Sequence, residues 1–218
     1  PAPSTPPKPR RKIKIGRILL SLFLLSCIAI LAAVSAYVAK ALPVFNPQQL
    51  VGANTTMLYD REGNVFNSLH GVENRVDVNL EQVPPALIQA FIATEDKEFY
   101  NHHGINVKGI ARAVLRNFQV GDMTGQGAST ITQQLARSSF LSNDKNWERK
   151  IKEMFLAFKI EATYSKDEIL EMYLNKIYFG AGAYGVQAAS HTFFDKDVSE
   201  LTLPEASLYI LLRYISRI

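Results

Sequence analysis

The chain has 218 residues, 47% of them hydrophobic, enough for one ordinary domain and an appendage. Its formal charge of +4 is uneven: residues 1–17 hold Lys8, Arg10, Arg11, Lys12, Lys14 and Arg17 and no acid, and 24 less those six leaves 18 basic against 20 acidic residues. The basic signal is a tail and not a patch on a folded surface, which argues against nucleic acid as a partner.

The Pro-rich opening PAPSTPPKPRRK is expected to be disordered, so residues 1–17 read as a cytoplasmic basic tail. Residues 18–39, ILLSLFLLSCIAILAAVSAYVA, carry no charge, and a helix needs about 20 apolar residues to cross a bilayer core. A transmembrane helix is expected here. The alternative is a cleaved signal peptide, for which Ser35-Ala36-Tyr37 and Ala39 leave room, although such an apolar core usually runs only about 7 to 15 residues. Six basic residues before the span, against only Lys40 just after it, put the N-terminus in the cytoplasm and the remainder outside. The one cysteine, Cys27, lies inside the span, so the outer part is expected to fold without a disulfide.

Residues 40–83 read as a stalk and a small β region. Thr56 to Asp60, a REG turn and Asn64 to Phe66 suggest a hairpin, and Arg75 to Val78 alternates like a further strand.

Residues 84–218 read as helical. Pro84-Pro85 is expected to start a helix and Gly104 to end it. Within it Ile88, Ile92, Glu95 and Phe99 recur at helical spacing, which places an acid on an apolar, core-facing stripe. Burial disfavours a charged carboxylate, so Glu95 suits general acid or base work; the alternative is a Glu at the rim with its head in water. His102 and His103 fit either a metal site with Glu98 or Asp96, or a helix end where the dipole favours them. Gly121 to Gly127 holds three glycines and reads as a mobile loop. Thr130 and Gln133 fit a capping box, and the N–H groups of such a helix start make a ready site for phosphate oxygens, unless it is simply a well-capped helix.

Cations then crowd together: Arg137, Lys145, Arg149, Lys150 and Lys152. On a helix starting near Asn146, Arg149 and Glu153 stand at i and i+4 with Leu156 and Ile160 following, while Ile151, Phe155, Phe158 and Ala162 are predicted to face the core. The acid and its cations form either a surface ion pair or part of a cluster that neutralises a diphosphate. Ser165 to Glu168 is a second capping box, opening a helix through Tyr173 and Asn175. Gly180 to Gly185 is expected to be a flexible turn, and Pro204-Glu-Ala to start a last helix.

Taken in order, Glu95-Asp96-x-x-Phe99-x-x-His102-x-Gly104, Gly127-Ala-Ser-Thr-Ile-Thr-Gln-Gln134, Arg149-Lys150-x-x-Glu153 and Lys166-Asp-Glu-Ile-Leu-Glu-Met-Tyr-Leu-Asn175 resemble the bacterial peptidoglycan glycosyltransferases. These are the polymerase domains of class A penicillin-binding proteins and their monofunctional relatives. Each motif alone is weak, but four in order over about 80 residues are specific.

The resemblance implies a mainly α, lysozyme-like two-lobed domain with a small β hairpin, preceded by one transmembrane helix in the bacterial inner (cytoplasmic) membrane. It implies as substrates the lipid-linked cell-wall precursor lipid II and the growing glycan strand, beside membrane lipid and other cell-wall synthesis proteins. Glu95 would be the general base on the acceptor 4-hydroxyl, and Glu153 would lie near the donor diphosphate. Arg137 and Lys145, helped by Arg149 and Lys150, would stabilise the departing charge, and Ser129, Gln133 and Gln134 would line the donor site. Asp96, Phe99, His102, Gly104, Thr130, Tyr173 and Asn175 would support them. No metal ligands are assigned and no cofactor is required; a divalent cation (Mg or Mn) at the diphosphate is left open.

Two departures stand out. The family's phosphate positions most often read Lys then Arg, the reverse of Arg137 and Lys145. After Leu203-Pro-Glu-Ala the family continues through Gly-Leu-Pro to an Arg-rich motif, whereas this chain reads SLYILLRYISRI; Arg213 and Arg217 do not map onto that motif, and the C-terminus is expected to be truncated. A lysozyme-like glycan hydrolase and an inactive lipid II-binding membrane module are the rival readings.

Overall fold

A computed structural model describes residues 15–41, 44–50, 56–62, 65–69, 74–120, 129–141 and 146–216. The chain divides into two compact units, residues 1–42 and 43–218. The first contains helix α1 (Ile15–Ala41), whose segment Ile18–Tyr37 has a mean hydropathy of 2.7 and is long and apolar enough to cross a membrane. Apolar side chains surround it on every side, which is the pattern of a helix meant to lie among other apolar groups.

The second unit is mainly helical. After a 3-10 turn, Pro47–Gln49, come β1 (Thr56–Tyr59) and β2 (Val65–Leu69), antiparallel, with Thr56 opposite Leu69 and an irregularity between Leu58 and Tyr59. The expected hairpin is present. The expected strand from Arg75 to Val78 is shorter: β3 covers only Asn74–Arg75. It runs parallel to β5 (Ala183–Tyr184), which pairs antiparallel with β4 (Tyr178–Gly180). The Gly180 to Gly185 stretch is therefore no flexible turn but the tip of a small sheet of order β3-β5-β4. Ala181 and Gly182 turn the chain with φ of 49° and 76°, and backbone pairing across so short a turn offsets the freedom glycine brings.

Helices α2 (Pro85–Glu95), α3 (Val107–Val120), α4 (Ile131–Phe140), α5 (Trp147–Thr163), α6 (Lys166–Lys176), α7 (Val186–Phe194) and α8 (Leu203–Ile215) make up the rest. Capping boxes open three of them: Thr130 with Gln133 on α4, Ser165 with Glu168 on α6, and Thr202 with Glu205 on α8. Each N-cap is worth about 1 kcal/mol. The core runs through an aromatic chain in which Phe91 meets Tyr173 and Phe179 at centroid distances of 6.3 and 6.1 Å, and Phe179 meets Tyr209 at 5.2 Å. α4 packs on α5 and α6, and α2 packs on α8.

Two helix faces differ from expectation. α2 stops at Glu95 and not at Gly104, because Asp96 leaves the helical region at φ −159°, ψ 80°. Its buried residues are Leu87 and Phe91, one position before the predicted Ile88 and Ile92, and Phe99 reaches the core from a separate 3-10 turn, Phe99–Asn101. On α5 the predicted stripe is reversed: Glu153, Leu156, Ala157 and Ile160 are buried, while Phe155 and Phe158 remain 41% and 49% exposed. The small Ala157 allows close approach to Gly104, and cations compensate the buried acid, so the helix can turn its charged side inward.

Candidate active site

The site is built around the first two turns of α4. Thr130 Oγ1 accepts a hydrogen bond from Gln133 N at 3.1 Å, and Gln133 Oε1 accepts one from Thr130 N at 3.0 Å. Thr130 Oγ1 donates in turn to Gly104 O at 2.6 Å. Gly104 holds that carbonyl in place with φ of +85°, in a space where a Cβ would stand 3.1 Å from the backbone of Ala157. Asp96 Oδ2 accepts the N–H of Ile131 at 3.1 Å. At the helix start expected to cradle a phosphate, the N–H groups of Thr130, Ile131 and Gln133 are thus taken by the protein's own acceptors. Thr130 and Gln133, both buried, serve the scaffold.

Asp96 also meets His102 Nε2 at 2.8 Å. Phe99 packs edge-on against the His102 ring at 6.2 Å, and Lys166 lies over the Phe99 ring at 4.5 Å. Next to it, the Tyr100 hydroxyl donates to Asp167 at 2.9 Å, and burial together with that carboxylate pushes the phenol up to about 12. Among the described residues no group of three His, Cys, Asp or Glu side chains is placed to hold a metal ion.

Glu95 occupies the last position of α2, where the helix dipole opposes a negative charge. Gln134 offsets this: its Nε2 donates to Glu95 Oε2 at 2.8 Å. The Gln134 amide oxygen faces Tyr173 Oη at 3.4 Å and Arg213 Nη2 at 3.3 Å. Glu95 itself is half-buried, so its carboxylate is both fixed and reachable.

Three residues beyond Gln134, on the adjoining turn of α4, Arg137 begins a second cluster. Glu153, fully buried, has its Oε2 2.9 Å from Lys150 Nζ, and its Oε1 faces Arg149 Nε at 3.4 Å and Arg137 Nη1 at 3.9 Å. Lys150 Nζ also donates to Ser129 Oγ at 2.7 Å. Three cations against one carboxylate leave two positive charges, and all three cationic side chains keep some contact with solvent. An anion can approach from that side while Glu153 keeps the cations from spreading apart.

The structure therefore brings Glu95, Gln134 and Tyr173 into one network, and Ser129, Arg137, Arg149, Lys150 and Glu153 into a second, with α4 shared by both. Lys145 and the Gly121 to Gly127 loop lie outside the described residues. Asn175 stands apart: its Oδ1 accepts from Val78 N at 3.0 Å and its Nδ2 donates to Val78 O at 2.8 Å, so it clamps the segment after β3. Sequence reasoning missed two participants. Glu161 accepts from Thr132 at 2.5 Å and Lys166 at 2.8 Å, tying α5 to α4 and α6. Arg213 reaches Gln134 across 79 positions of sequence, a separation at which no local pattern carries a signal.

Residues 62–216, which include both networks, match the family model of the transglycosylases. The chain belongs to the transglycosylase family. It is 42% identical to penicillin-binding protein 1F of Bacillus subtilis (strain 168), over 90% of this chain and 28% of that protein. It is 51% identical to penicillin-binding protein 1A of Escherichia coli (strain K12), over 69% of this chain and 18% of that protein. Against penicillin-binding protein 1A of Aquifex aeolicus (strain VF5) the identity is 48%, over 69% of this chain and 20% of that protein. This transglycosylase chain thus spans less than a third of the length of these relatives.

Proposed function

We propose that the chain is a peptidoglycan glycosyltransferase that extends a lipid-linked glycan strand with lipid II, held at the bacterial cytoplasmic membrane by α1. The observation that carries this reading is the placement of a half-buried carboxylate and a cation cluster on adjoining turns of one helix, through Gln134 to Glu95 and through Arg137 to Glu153.

In the proposed reaction Glu95 takes the proton of the acceptor's 4-hydroxyl as the oxygen bonds to the donor's anomeric carbon from the opposite face. The bond from that carbon to the diphosphate oxygen breaks with its electron pair leaving on the polyprenyl diphosphate, and the product is β-1,4-linked with inverted configuration. Arg137, Arg149 and Lys150, with Lys145, meet the leaving charge, and Glu153 holds the first three of them at their present spacing. Ser129, hydrogen-bonded to Lys150, borders the same site. No cofactor is required by this scheme. The basic tail supports an N-terminus in the cytoplasm with residues 43–218 outside, where the wall precursor and other cell-wall synthesis proteins are met.

Polymerisation of labelled lipid II in detergent tests the reading. Strands from the parent chain and a loss of at least about a thousandfold in Glu95→Gln are expected, since Gln still accepts from Gln134 but takes no proton. Release of fragments from finished strands without polymer would replace the reading with a hydrolase, and equal polymerisation by parent and variant would remove Glu95 as the base.

A further inference from the structure

We infer that Arg213 is a positioning residue for the base Glu95, acting through the side-chain amide of Gln134 to hold the carboxylate ready to accept a proton. The inference rests on the reading of Glu95 as general base and adds a residue that no motif supplies.

A glutamine amide has a donor end and an acceptor end of nearly equal shape, and its neighbours decide which way it points. Here two groups converge on the Gln134 oxygen. Tyr173 Oη, at 3.4 Å, can donate or accept, so it is compatible with either orientation. Arg213 Nη2, at 3.3 Å, can only donate. Of the two groups at the oxygen end the guanidinium alone is donor-only, and it holds the oxygen toward α8 while the nitrogen donates to Glu95 Oε2 at 2.8 Å. An amide N–H facing a carboxylate stabilises its charged form; the flipped amide would set an oxygen against it and favour the protonated form. Arg213 is itself aimed by a second arm, Nη1, which donates to Tyr178 O at 3.2 Å, an oxygen that also accepts from Ser216 Oγ at 3.0 Å. The fork geometry of arginine spans both carbonyl oxygens, which a single ammonium cannot do.

Charged or titratable groups beside this network include Tyr173 on α6, Asp96 beside Glu95, and Arg137 one turn along α4. Asp96 is engaged with Ile131 N and His102, and Arg137 with Glu153. None of them donates to the Gln134 oxygen except Tyr173.

The experiment compares the full chain with Arg213→Met and Arg213→Lys in detergent. The pH–rate profile of lipid II polymerisation is measured together with the 13C resonance of the Glu95 carboxyl. With Met, the acid side of the profile is expected to move to higher pH, so that the rate there falls roughly tenfold while the plateau at higher pH stays within about twofold of the parent. Lys, which keeps a donor-only cation beside Gln134, is expected to return most of that loss. The carboxyl resonance should titrate at higher pH with Met than in the parent. A uniform loss at all pH values, or a carboxyl titration unchanged by Met, overturns the inference. If Met does not fold, Arg213→Gln, whose amide can donate or accept, takes its place with the same expected direction. A parent chain that makes no strands overturns the glycosyltransferase reading instead, and the carboxyl titration still decides the role of Arg213.

Discussion

Asp96 Oδ2 accepts the backbone N–H of Ile131 at 3.1 Å, so the end of α2 is tied to the start of α4. Glu95 precedes Asp96 and Gln134 follows Ile131 by less than one turn, and the 2.8 Å contact between those two side chains depends on this tie. Asp96→Ala leaves a buried N–H without an acceptor and removes a negative charge from a helix N-terminus. A loss of about 2 to 3 kcal/mol is expected in urea denaturation, accompanied by a fall in kcat. Asp96→Asn keeps an acceptor of the same shape and is expected to lose about half as much. Equal losses for the two variants would mean that charge, and not hydrogen bonding to Ile131, holds the junction.

Glu153 is the one acid among Arg137, Arg149 and Lys150 in its cluster. Removing one partner of a buried ion pair typically costs about 3 to 5 kcal/mol; because these cations retain contact with water, Glu153→Gln is expected to lose about 2 to 3 kcal/mol. The variant carries one more net positive charge there, so inorganic pyrophosphate should raise its melting temperature more than that of the parent. Pyrophosphate that stabilises neither protein would show that the cluster is structural and holds no diphosphate.

Much of this architecture can be read from the chain. The apolar run, the hairpin, Pro84-Pro85, the capping boxes at Thr130 and Ser165, and Pro204 are local signals, and each marks its element correctly because the physics that sets it acts within a few residues. The errors arise where tertiary contacts override local pattern. Counting apolar residues turned Phe155 and Phe158 inward, whereas three cations compensating Glu153 and the smallness of Ala157 reversed α5. A stripe drawn through Glu95 and Phe99 assumed a helix that Asp96 in fact ends. The β3-β5-β4 sheet joins segments more than a hundred positions apart, and its strands of two or three residues are too short to show alternation. The candidate site divides in the same way. Residue types and order pick out Glu95 and the members of the cation cluster but set Gln133 and Gln134 together at the donor; only the structure separates Gln133, whose side chain closes the cap, from Gln134, which meets Glu95.

Gly185 and Gly180 offer a controlled comparison, since both have positive φ, +84° and +98°. A Cβ on Gly185 would stand 2.6 Å from the backbone oxygen of Asn175, whereas one on Gly180 meets nothing within 4 Å. Gly180→Ala is expected to lose about 1 to 2 kcal/mol from conformational strain alone. Gly185→Ala is expected to lose about 3 kcal/mol or more, because Asn175 must move as well and its clamp on Val78 loosens. Thermal denaturation of the two variants side by side checks the difference; equal losses would mean that the contact with Asn175 relaxes freely.

Glu205 sets a dependence on acid. Lys196 at 2.7 Å, and then the side chain and backbone of Thr202, lower its carboxyl from 4.5 to about 2. The unfolded chain therefore takes up a proton at this position at higher pH than the folded one, so the contribution of Glu205 is complete above 4.5 and is lost as pH falls toward about 2. Glu205→Gln carries no titrating group. The stability gap between parent and variant, measured by denaturation at stepped pH, should be widest above 4.5 and close by about 2. Because Glu205 and Lys196 both keep contact with solvent, added salt should narrow the gap at neutral pH by screening Lys196. A gap that stayed constant with pH would assign the role of Glu205 to its uncharged capping geometry at Thr202, and the ion pair with Lys196 would then contribute nothing to the start of α8.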